Sequence, residues 1–457
     1  MSETGRTGTA PGPQALARAR QDRRALAVMT VAHGIQHFYV AGLAVAYPFV
    51  VAQFRVSYAV LGLWLSAAGL LGGLLQAAAG LLRRASARAV LTAQDLAMGG
   101  TALLGALAPG FAAFGSARVL GAAVSWPQHP VGSAYLSDRF PQRRATALSW
   151  HTAGGSLGTV AVPALMSAMV AAAGWRWALA ALGAALIAGG LLVRIALPPE
   201  RPRAEPGHAD GRPAEQVRLW QLLRRRQVAA VLAAGTIAAG GRGLGTLSTY
   251  IPAYLRSGLH LSTITVGTLF TLIMAASIAG PLAGGLLADR FGRARTLTVT
   301  YVAAAVAVAA FGYAGRSLWL LAVLGVCVGV LAYAESPLLQ AVFSDLTDDG
   351  AARAAFGAFF AVSYGVGSLW VAVIGWVISA AGFPAAFAAM AASFAAAAAV
   401  IGLVMRGDTR GGPPAPLRPF AYVRSPTSVR RQGRAGPPWS ARTRRPHASR
   451  RRPRWPP

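Results

Sequence analysis

Residues 284–295 read GGLLADRFGRAR, and this stretch decides the fold. A glycine-rich apolar run ends in Asp289 and Arg290, and Gly292 and two further arginines follow before the next apolar run begins. Each flanking run is long enough to cross a bilayer, which takes about 20 apolar residues. We therefore expect 284–295 to form a short loop between two membrane helices.

The composition predicts a membrane protein that crosses the bilayer many times. Of the 457 residues, 55% are hydrophobic and 12% are charged, and the mean hydropathy is +0.48. A soluble domain carries about a quarter charged residues. The single Cys327 lies in an apolar run, which excludes a disulfide framework and a cysteine metal site. No cleavable signal peptide is expected, because the first apolar run is too long for one.

Apolar runs of about 20 residues or more recur along the chain and set its organisation. They predict an all-α membrane protein of twelve transmembrane helices in two pseudo-symmetric six-helix bundles. The expected runs lie near 26–52, 58–82, 89–108, 111–136, 145–172, 176–197, 227–255, 262–287, 296–314, 317–342, 354–380 and 384–405. The expected segments are a disordered cytoplasmic N-terminus (1–24), an N-terminal bundle (25–197), a cytoplasmic linker (198–226), a C-terminal bundle (227–405) and a disordered Arg/Pro-rich cytoplasmic tail (406–457).

The distribution of arginine predicts the orientation in a cell membrane. The chain has no lysine, so all 43 basic residues are arginine. With the N-terminus inside, about 37 arginines fall in cytoplasmic segments and four in outer loops, as the positive-inside rule requires. Both termini are therefore expected in the cytoplasm. The basic tail is a candidate for contact with anionic lipid headgroups, and we expect no nucleic-acid partner.

An internal repeat relates the two halves of the chain. The segment Ser125–Asp138 (SWPQHPVGSAYLSD) aligns without gaps on Ala332–Asp345 (AYAESPLLQAVFSD). Trp126 then matches Tyr333, and Gln128 matches Glu335. Repeats of this kind build transporters whose substrate site lies at the membrane midplane between the halves.

The spacing G-x-x-x-D-R-x-G-R, which starts at Gly285, resembles the loop signature of the major facilitator superfamily of secondary transporters. The resemblance implies alternating access, with this loop as a latch that holds one conformation. It also implies that Asp289 faces Arg143 and Arg144 at the start of the fifth span. The N-terminal copy of the loop, 80–88 (GLLRRASAR), lacks the acid. The expected latch residues are Gly285, Asp289, Arg290, Gly292, Arg293, Arg143, Arg144, Asp138, Asp345 and Arg353.

Polar residues inside spans are functional candidates, because a charge at the bilayer centre costs at least about 2.5–3.5 kcal/mol. Glu335 lies about ten residues, or roughly 15 Å, from the cytoplasmic end of the tenth span, and Arg242 lies at a similar depth in the seventh. Two interpretations remain open: Glu335 and Arg242 form a static buried ion pair, or a substrate or proton replaces one partner during function.

Four histidines and a glutamine lie in the first, fourth and fifth spans. His33 and His37 are one helical turn apart on one face, and Gln36 lies between them. Imidazole titrates near physiological pH, so His33, His37, His129 and His151 either carry protons or line a polar cavity as satisfied side chains. No acid or cysteine accompanies them in sequence, and we expect no metal site.

Three stretches resemble the fosmidomycin-resistance-type branch of the superfamily. They are AHGIQHFYVAGLAVAYPFV (32–50), SWPQHP (125–130) and RRATALSWHTAGGSLG (143–158). The chain keeps His33 and His129 of that pattern, but has Gln36 and His37 where the branch has Asn-Asp. Arg118, followed by Gly121, is similar to the fourth-span arginine motif of proton antiporters.

These features predict proton-coupled efflux of a small organic compound, a drug or a metabolite, by a monomer. The first, fourth, seventh and tenth spans are expected to line the cavity. The alternative is uptake of a small organic anion held by Arg242 or Arg118. An alternative of another functional class is a membrane sensor or anchor that does not transport and whose basic tail binds lipid. No nucleophile–base pair or phosphate-binding loop is visible, so an enzyme and a cofactor are not expected. The side chains expected at the cavity are Trp126, Gln128, His129, Arg242, Tyr333 and Glu335.

Overall fold

The computed structural model describes residues 12–76, 85–200, 221–222, 224–347 and 352–405. The expected tail at 406–457, most of the linker at 198–226 and residues 80–84 of the N-terminal loop copy lie outside the described residues. The described chain is helical nearly throughout. We name its α-helices α1 to α14 in chain order.

Seven helices form the described N-terminal half: α1 (Pro13–Phe54), α2 (Tyr58–Gln76), α3 (Ala87–Ala106), α4 (Phe111–Ser125), α5 (Gln128–Arg139), α6 (Arg144–Ala173) and α7 (Trp175–Ala196). Seven more form the described C-terminal half: α8 (Arg226–Ala238), α9 (Ser248–Ala253), α10 (Thr263–Phe291), α11 (Arg293–Gly312), α12 (Leu318–Asp345), α13 (Ala352–Phe360) and α14 (Leu369–Met405). Wide π-helical turns at Gly243–Leu247, Tyr254–Gly258 and Ala361–Gly365 connect some of them.

The fourteen helices of the described chain make twelve membrane spans. In the described residues, nine helical stretches are long and apolar enough to cross a membrane. The long stretch 355–405 contains two spans, because Gly382 has a φ of 82° that breaks the helix between them. The remaining two spans are α3 and the pair α4–α5, which is interrupted at Pro127. The expected count of twelve is consistent with this architecture.

The first helix begins earlier than expected. α1 starts at Pro13, so residues 13–24 are helical, and the prediction of disorder for this part of 1–24 was wrong. The segment is rich in alanine, arginine and glutamine, which favour helix, and it starts with proline at its first turn. Asp22 also forms an ion pair with Arg139 at 2.9 Å, which holds the extension against the end of α5.

Helix packing repeats between the halves. In the N-terminal half α3 packs on α7 and α2 packs on α4; in the C-terminal half the corresponding spans, α11 with α14 and α10 with α12, also pack together. Between the halves, α2 packs on α14 and α6 packs on α10. The two halves correspond through α2 with α10 and α6 with the first part of α14. A pseudo-two-fold rotation that exchanges the halves therefore places one of these interfaces on the other.

Close helix contacts depend on small residues, because apolar side chains gain little by leaving lipid for protein. At Gly280 of α10, a Cβ atom would collide with the backbone carbonyl of Val330 on α12. At Gly158 of α6, a Cβ atom would collide with the backbone of Gly34 on α1. Both interfaces therefore require the glycine backbone.

Hydrogen bonds join the two bundles at the end that contains Tyr58. The Tyr58 hydroxyl donates to Ser257 Oγ at 2.9 Å, and the backbone N–H of Ala59 donates to Ser379 Oγ at 3.0 Å. About two turns deeper along α2, Ser66 Oγ donates to the Ser368 carbonyl at 2.7 Å. We call this the Tyr58 end, and these contacts close the space between the bundles there.

Two glycines of α10 give a matched test of the packing. We expect Gly280→Ala to lower stability by about 1–3 kcal/mol, the usual cost of overpacking a close contact. Gly285→Ala is the control, because a Cβ atom at 285 meets nothing within 4 Å. The melting temperature of the detergent-solubilised protein should fall for Gly280→Ala and stay level or rise for Gly285→Ala. Equal melting temperatures for both variants would contradict the described α10–α12 contact.

Candidate functional site

A cavity of about 410 Å³ lies between the bundles, a volume typical of small-molecule sites. Its walls come mainly from the first, second, fourth, seventh and eleventh spans. Of the six side chains expected there, Trp126, His129 and Arg242 line it. The expectation was wrong for Gln128, Tyr333 and Glu335, which are buried behind the wall. Gly243 lies against the Tyr333 ring and Arg242 contacts Glu335, so the seventh span lies between these two side chains and the cavity.

Arg242 and Glu335 form a buried ion pair, with Arg242 Nε 2.7 Å from Glu335 Oε1. The two other guanidinium nitrogens donate to the backbone carbonyls of Ser363 (2.7 Å) and Gly235 (2.6 Å). The guanidinium also lies 4.3 Å from the ring centre of Tyr364. All three nitrogens of Arg242 therefore have an acceptor, and the guanidinium is fixed in one orientation.

The carboxylate of Glu335 is equally well satisfied. The hydroxyl of Ser336 donates to Oε1 at 2.8 Å, and the hydroxyl of Tyr301 donates to Oε2 at 3.3 Å. Glu335 has no exposed surface, and it does not line the cavity. Of the alternatives open at the sequence level, this geometry favours the static pair.

Arg118 differs from Arg242 in having no acid beside it. It lines the cavity, where its Nε donates to the Tyr47 hydroxyl at 3.2 Å and its guanidinium lies 5.1 Å from the ring centre of Tyr39. Arg118 forms no ion pair with any residue that the structure describes, and its Nη1 is buried without a hydrogen-bond partner. The cavity wall therefore carries a positive charge that the described protein does not neutralise.

The histidines expected from sequence come together at the same wall. The ring centres of His33 and His37 are 4.6 Å apart, and that of His129 is 5.2 Å from His33. The ring of His151 stacks on that of His33, with 4.0 Å between the ring centres. His37 and His129 line the cavity, whereas His33 and His151 are buried.

A chain of buried amides lies behind the histidines. Gln36 Nε2 donates to the Ser125 carbonyl at 3.1 Å, which ties α1 to the break in the fourth span. Gln94 Nε2 donates both to Gln128 Oε1 at 3.2 Å and to Asp95 Oδ1 at 3.0 Å. The expected site residue Gln128 therefore supports the wall from behind and does not face the cavity.

Asp95 is a buried acid that the sequence reasoning did not single out. It lies in α3 and is 2% exposed, with Gln94 as its hydrogen-bond donor. The signal was available, because Asp95 interrupts an apolar run expected to span the membrane. A carboxyl at this depth carries the same desolvation cost that directed attention to Glu335.

The expected latch residues are spread over the end opposite Tyr58. Asp289 and Arg290 are exposed, as are Arg143 and Arg144. No residue in the described ranges forms an ion pair or hydrogen bond with Asp289, whereas Arg293 forms an ion pair with Asp345. Gly292 ends α10 with a φ of 89°, and Gly285 faces open space. Asp138 lies near the end of α5, and the side chain of Arg353 is outside the described part.

The family model of the Major Facilitator Superfamily matches residues 29–315 and 243–451, which together cover well over half of the chain. No curated protein sequence matches the chain.

Three solved structures share the fold. A mutant of the nucleoside transporter NupG has a TM-score of 0.72 and 13% identity over 84% of this chain and 99% of its own. A bacterial homologue of the human lysosomal transporter Spinster has a TM-score of 0.66 and 18% identity over 83% and 96%. The human organic anion transporter MFSD10 has a TM-score of 0.56 and 16% identity over 83% and 99%. At these identities the similarity shows the fold alone.

The buried pair predicts a non-additive pattern of stability. Arg242→Met or Glu335→Leu alone leaves a buried charge without its partner, which costs about 3–5 kcal/mol. The double variant removes both charges and should recover most of this loss. The exposed pair supplies the control, since Arg293→Met breaks a surface contact worth about 0–1 kcal/mol. Melting temperatures of the four purified variants measure the pattern. Single variants that melt like wild type would contradict the static assignment.

Proposed function

The chain belongs to the major facilitator superfamily, and we propose that it moves a small organic anion across a cell membrane by alternating access. The observation that carries the proposal is Arg118, a cation on the cavity wall that no described acid neutralises. An uncompensated charge inside the membrane is costly. A negatively charged substrate in the cavity removes that cost, and the guanidinium fork suits a carboxylate or phosphonate group.

Arg118 keeps hydrogen-bonding capacity that the protein does not use. Tyr47 accepts only from its Nε, and Tyr39 contacts the guanidinium. Nη1 is buried without an acceptor, so it reaches a substrate in the cavity only when the side chain moves. Arg242 also reaches the cavity, but its three nitrogens already have acceptors in the protein. Of the two arginines considered for an anion, Arg118 is therefore the one we assign to the substrate.

The contacts at the Tyr58 end support alternating access. If both termini are cytoplasmic, as arginine distribution indicates, the Tyr58 end is the outer end. The hydrogen bonds of Tyr58, Ala59 and Ser66 then close the outer side of the cavity. Asp289 and Arg144 are exposed at the other end, as expected of a latch that is released in this conformation. In the opposite conformation we expect Asp289 to meet Arg143 or Arg144.

Protons are the proposed coupling ion. Two histidines that line the cavity, His37 and His129, are the candidate proton carriers, because imidazole is the side chain that ordinarily titrates near physiological pH. The fully hydrogen-bonded Glu335 is a poorer candidate. The resemblance to the fosmidomycin-resistance-type branch favours export in exchange for protons, by a monomer. Uptake together with protons is the second candidate, and the same Arg118 geometry serves both directions.

A membrane sensor or anchor is the alternative from another class. Its expected lipid-binding tail lies outside the described residues, while the cavity and its unpaired cation have no role in that function. Deletion of 406–457 separates the two proposals. A transporter that lacks the tail should still move its substrate into vesicles, whereas a sensor or anchor should lose its function in cells.

The role of Arg118 can be measured in proteoliposomes. The test compounds are radiolabelled carboxylates and phosphonates, each paired with its uncharged amide or ester. We expect transported compounds to come from the anionic set, and Arg118→Gln to slow them about tenfold or more, since a hydrogen bond to a charged group contributes about 1.5–3 kcal/mol. Arg316→Gln changes an exposed loop arginine and should have no effect. Preferred transport of the uncharged partners, or a wild-type rate for Arg118→Gln, would contradict the assignment.

The direction of coupling requires a second measurement. The same vesicles are loaded with a transported anion and given a pH gradient of either sign. Export by exchange predicts that the anion accumulates against its gradient on the side with more protons. Accumulation on the side with fewer protons would instead establish that the anion moves together with protons. Accumulation that does not depend on the pH gradient would exclude protons as the coupling ion.

A further inference from the structure

His33 and His37 face each other through the same ring nitrogen. Their Nε2 atoms are 3.1 Å apart. His33 Nδ1 lies 2.7 Å from the backbone carbonyl of His151, which can only accept, so this Nδ1 carries the hydrogen. His37 Nδ1 lies 2.8 Å from Thr159 Oγ1. The Thr159 hydroxyl donates to the Gly155 carbonyl at 3.0 Å, so its oxygen accepts the hydrogen of His37.

Both Nε2 atoms of the neutral rings consequently present lone pairs to each other. Two lone pairs at 3.1 Å repel, and a cation between the nitrogens converts the repulsion into attraction. His129 adds a third imidazole, since one ring nitrogen from each of the three histidines lies within 4.8 Å of the others. The three rings thus bring one potential ligand atom each into one small volume beside the cavity.

We propose that His33, His37 and His129 form a binding site for one late divalent transition metal ion, of the Zn²⁺, Ni²⁺ or Co²⁺ type. Imidazole suits these ions without help from thiolates. With Zn–N bonds of about 2.0–2.1 Å, two nitrogens of a tetrahedral site lie about 3.4 Å apart. The His33–His37 separation is close to this value. His129 is exposed and lines the cavity, and its ring centre lies 5.2 Å from that of His33 and 6.2 Å from that of His37, so this ring must turn inward to bind the same ion.

The second layer around the histidines has the form that metal sites use. Histidine ligands commonly donate their other N–H to a carbonyl or another oxygen, which fixes the ring and the tautomer. The His151 carbonyl and the Thr159 hydroxyl do this for His33 and His37. Gly155 makes room for the pair, because a Cβ atom there would lie 3.0 Å from His37 Nε2 and 2.8 Å from His33 Cε1.

Three histidines leave a tetrahedral ion with one free position. His37 and His129 line the cavity, so this position opens towards it, where water or an anion completes the coordination. The proposal is independent of the transported substrate, because it concerns only three imidazoles and the ion. Arg118→Gln should therefore leave metal binding intact even if it abolishes transport.

Metal binding can be measured on the full-length protein, purified with a tag that contains no histidine and stripped with a chelator. Titration with Zn²⁺ by calorimetry and with Co²⁺ by visible absorption should give one ion per chain, with the absorption of a four-coordinate cobalt site. His37→Ala and His129→Ala each remove a cavity-lining ligand, and we expect affinity to fall at least tenfold. Gly155→Ala should weaken binding while all ligands are retained. His260→Asn, in an exposed loop, is the matched control.

The outcomes separate clearly. One bound ion that is lost in the His37 and His129 variants and kept in the His260 variant supports the site. No bound ion in the wild-type protein overturns it, and a proton shared between the two Nε2 atoms then explains their approach. Binding that survives His37→Ala and His129→Ala also overturns it, because the ion would then lie elsewhere. The cobalt spectrum of the wild type decides the matter if a variant fails to fold.

Discussion

The cost of an uncompensated charge among membrane helices is the constraint on which this structure depends. Arg139 satisfies it through Asp22, and Arg242 satisfies it through Glu335 and two backbone carbonyls. These two pairs connect segments far apart in sequence: the first ties the start of α1 to α5, and the second ties the seventh span to the tenth. Arg118 alone among these three arginines lacks an acid in the described residues, and it lines the cavity with its Nη1 left without an acceptor.

Sequence was sufficient for the membrane spans, because about 20 apolar residues must cross the bilayer whatever their neighbours are. It was sufficient for the repeat, since the match of Ser125–Asp138 with Ala332–Asp345 needs no structure. It failed at 13–24, where composition and charge predicted disorder. The ion pair of Asp22 with Arg139 joins residues 117 positions apart, and no local pattern reveals such a contact.

The site was predicted less completely, because depth in a span does not tell which way a side chain points. Glu335 lies inside α12 and Arg242 lies in the break of the seventh span between α8 and Gly243–Leu247, yet only Arg242 reaches the cavity. The histidines were found individually, but their convergence depends on the packing of α1 against α6. The orientation of their hydrogens depends on Thr159 and on a backbone carbonyl, neither of which a motif contains.

The repeat explains why chemistry concentrates in one half. Helices α4 and α12 begin at equivalent positions, Phe111 and Leu318, so the alignment that matches Gln128 with Glu335 also matches Arg118 with Gly325. Gln128 and Glu335 are both buried behind the wall, one held by Gln94 and the other by Arg242. Gly325 has no side chain to offer the cavity. The Arg242–Glu335 pair of the C-terminal half therefore holds helices together, and the N-terminal half holds the arginine and the three clustered histidines for which we propose binding roles. Under the assignment of the substrate to Arg118 that we propose, the substrate would stay with the N-terminal bundle while the C-terminal bundle moves relative to it.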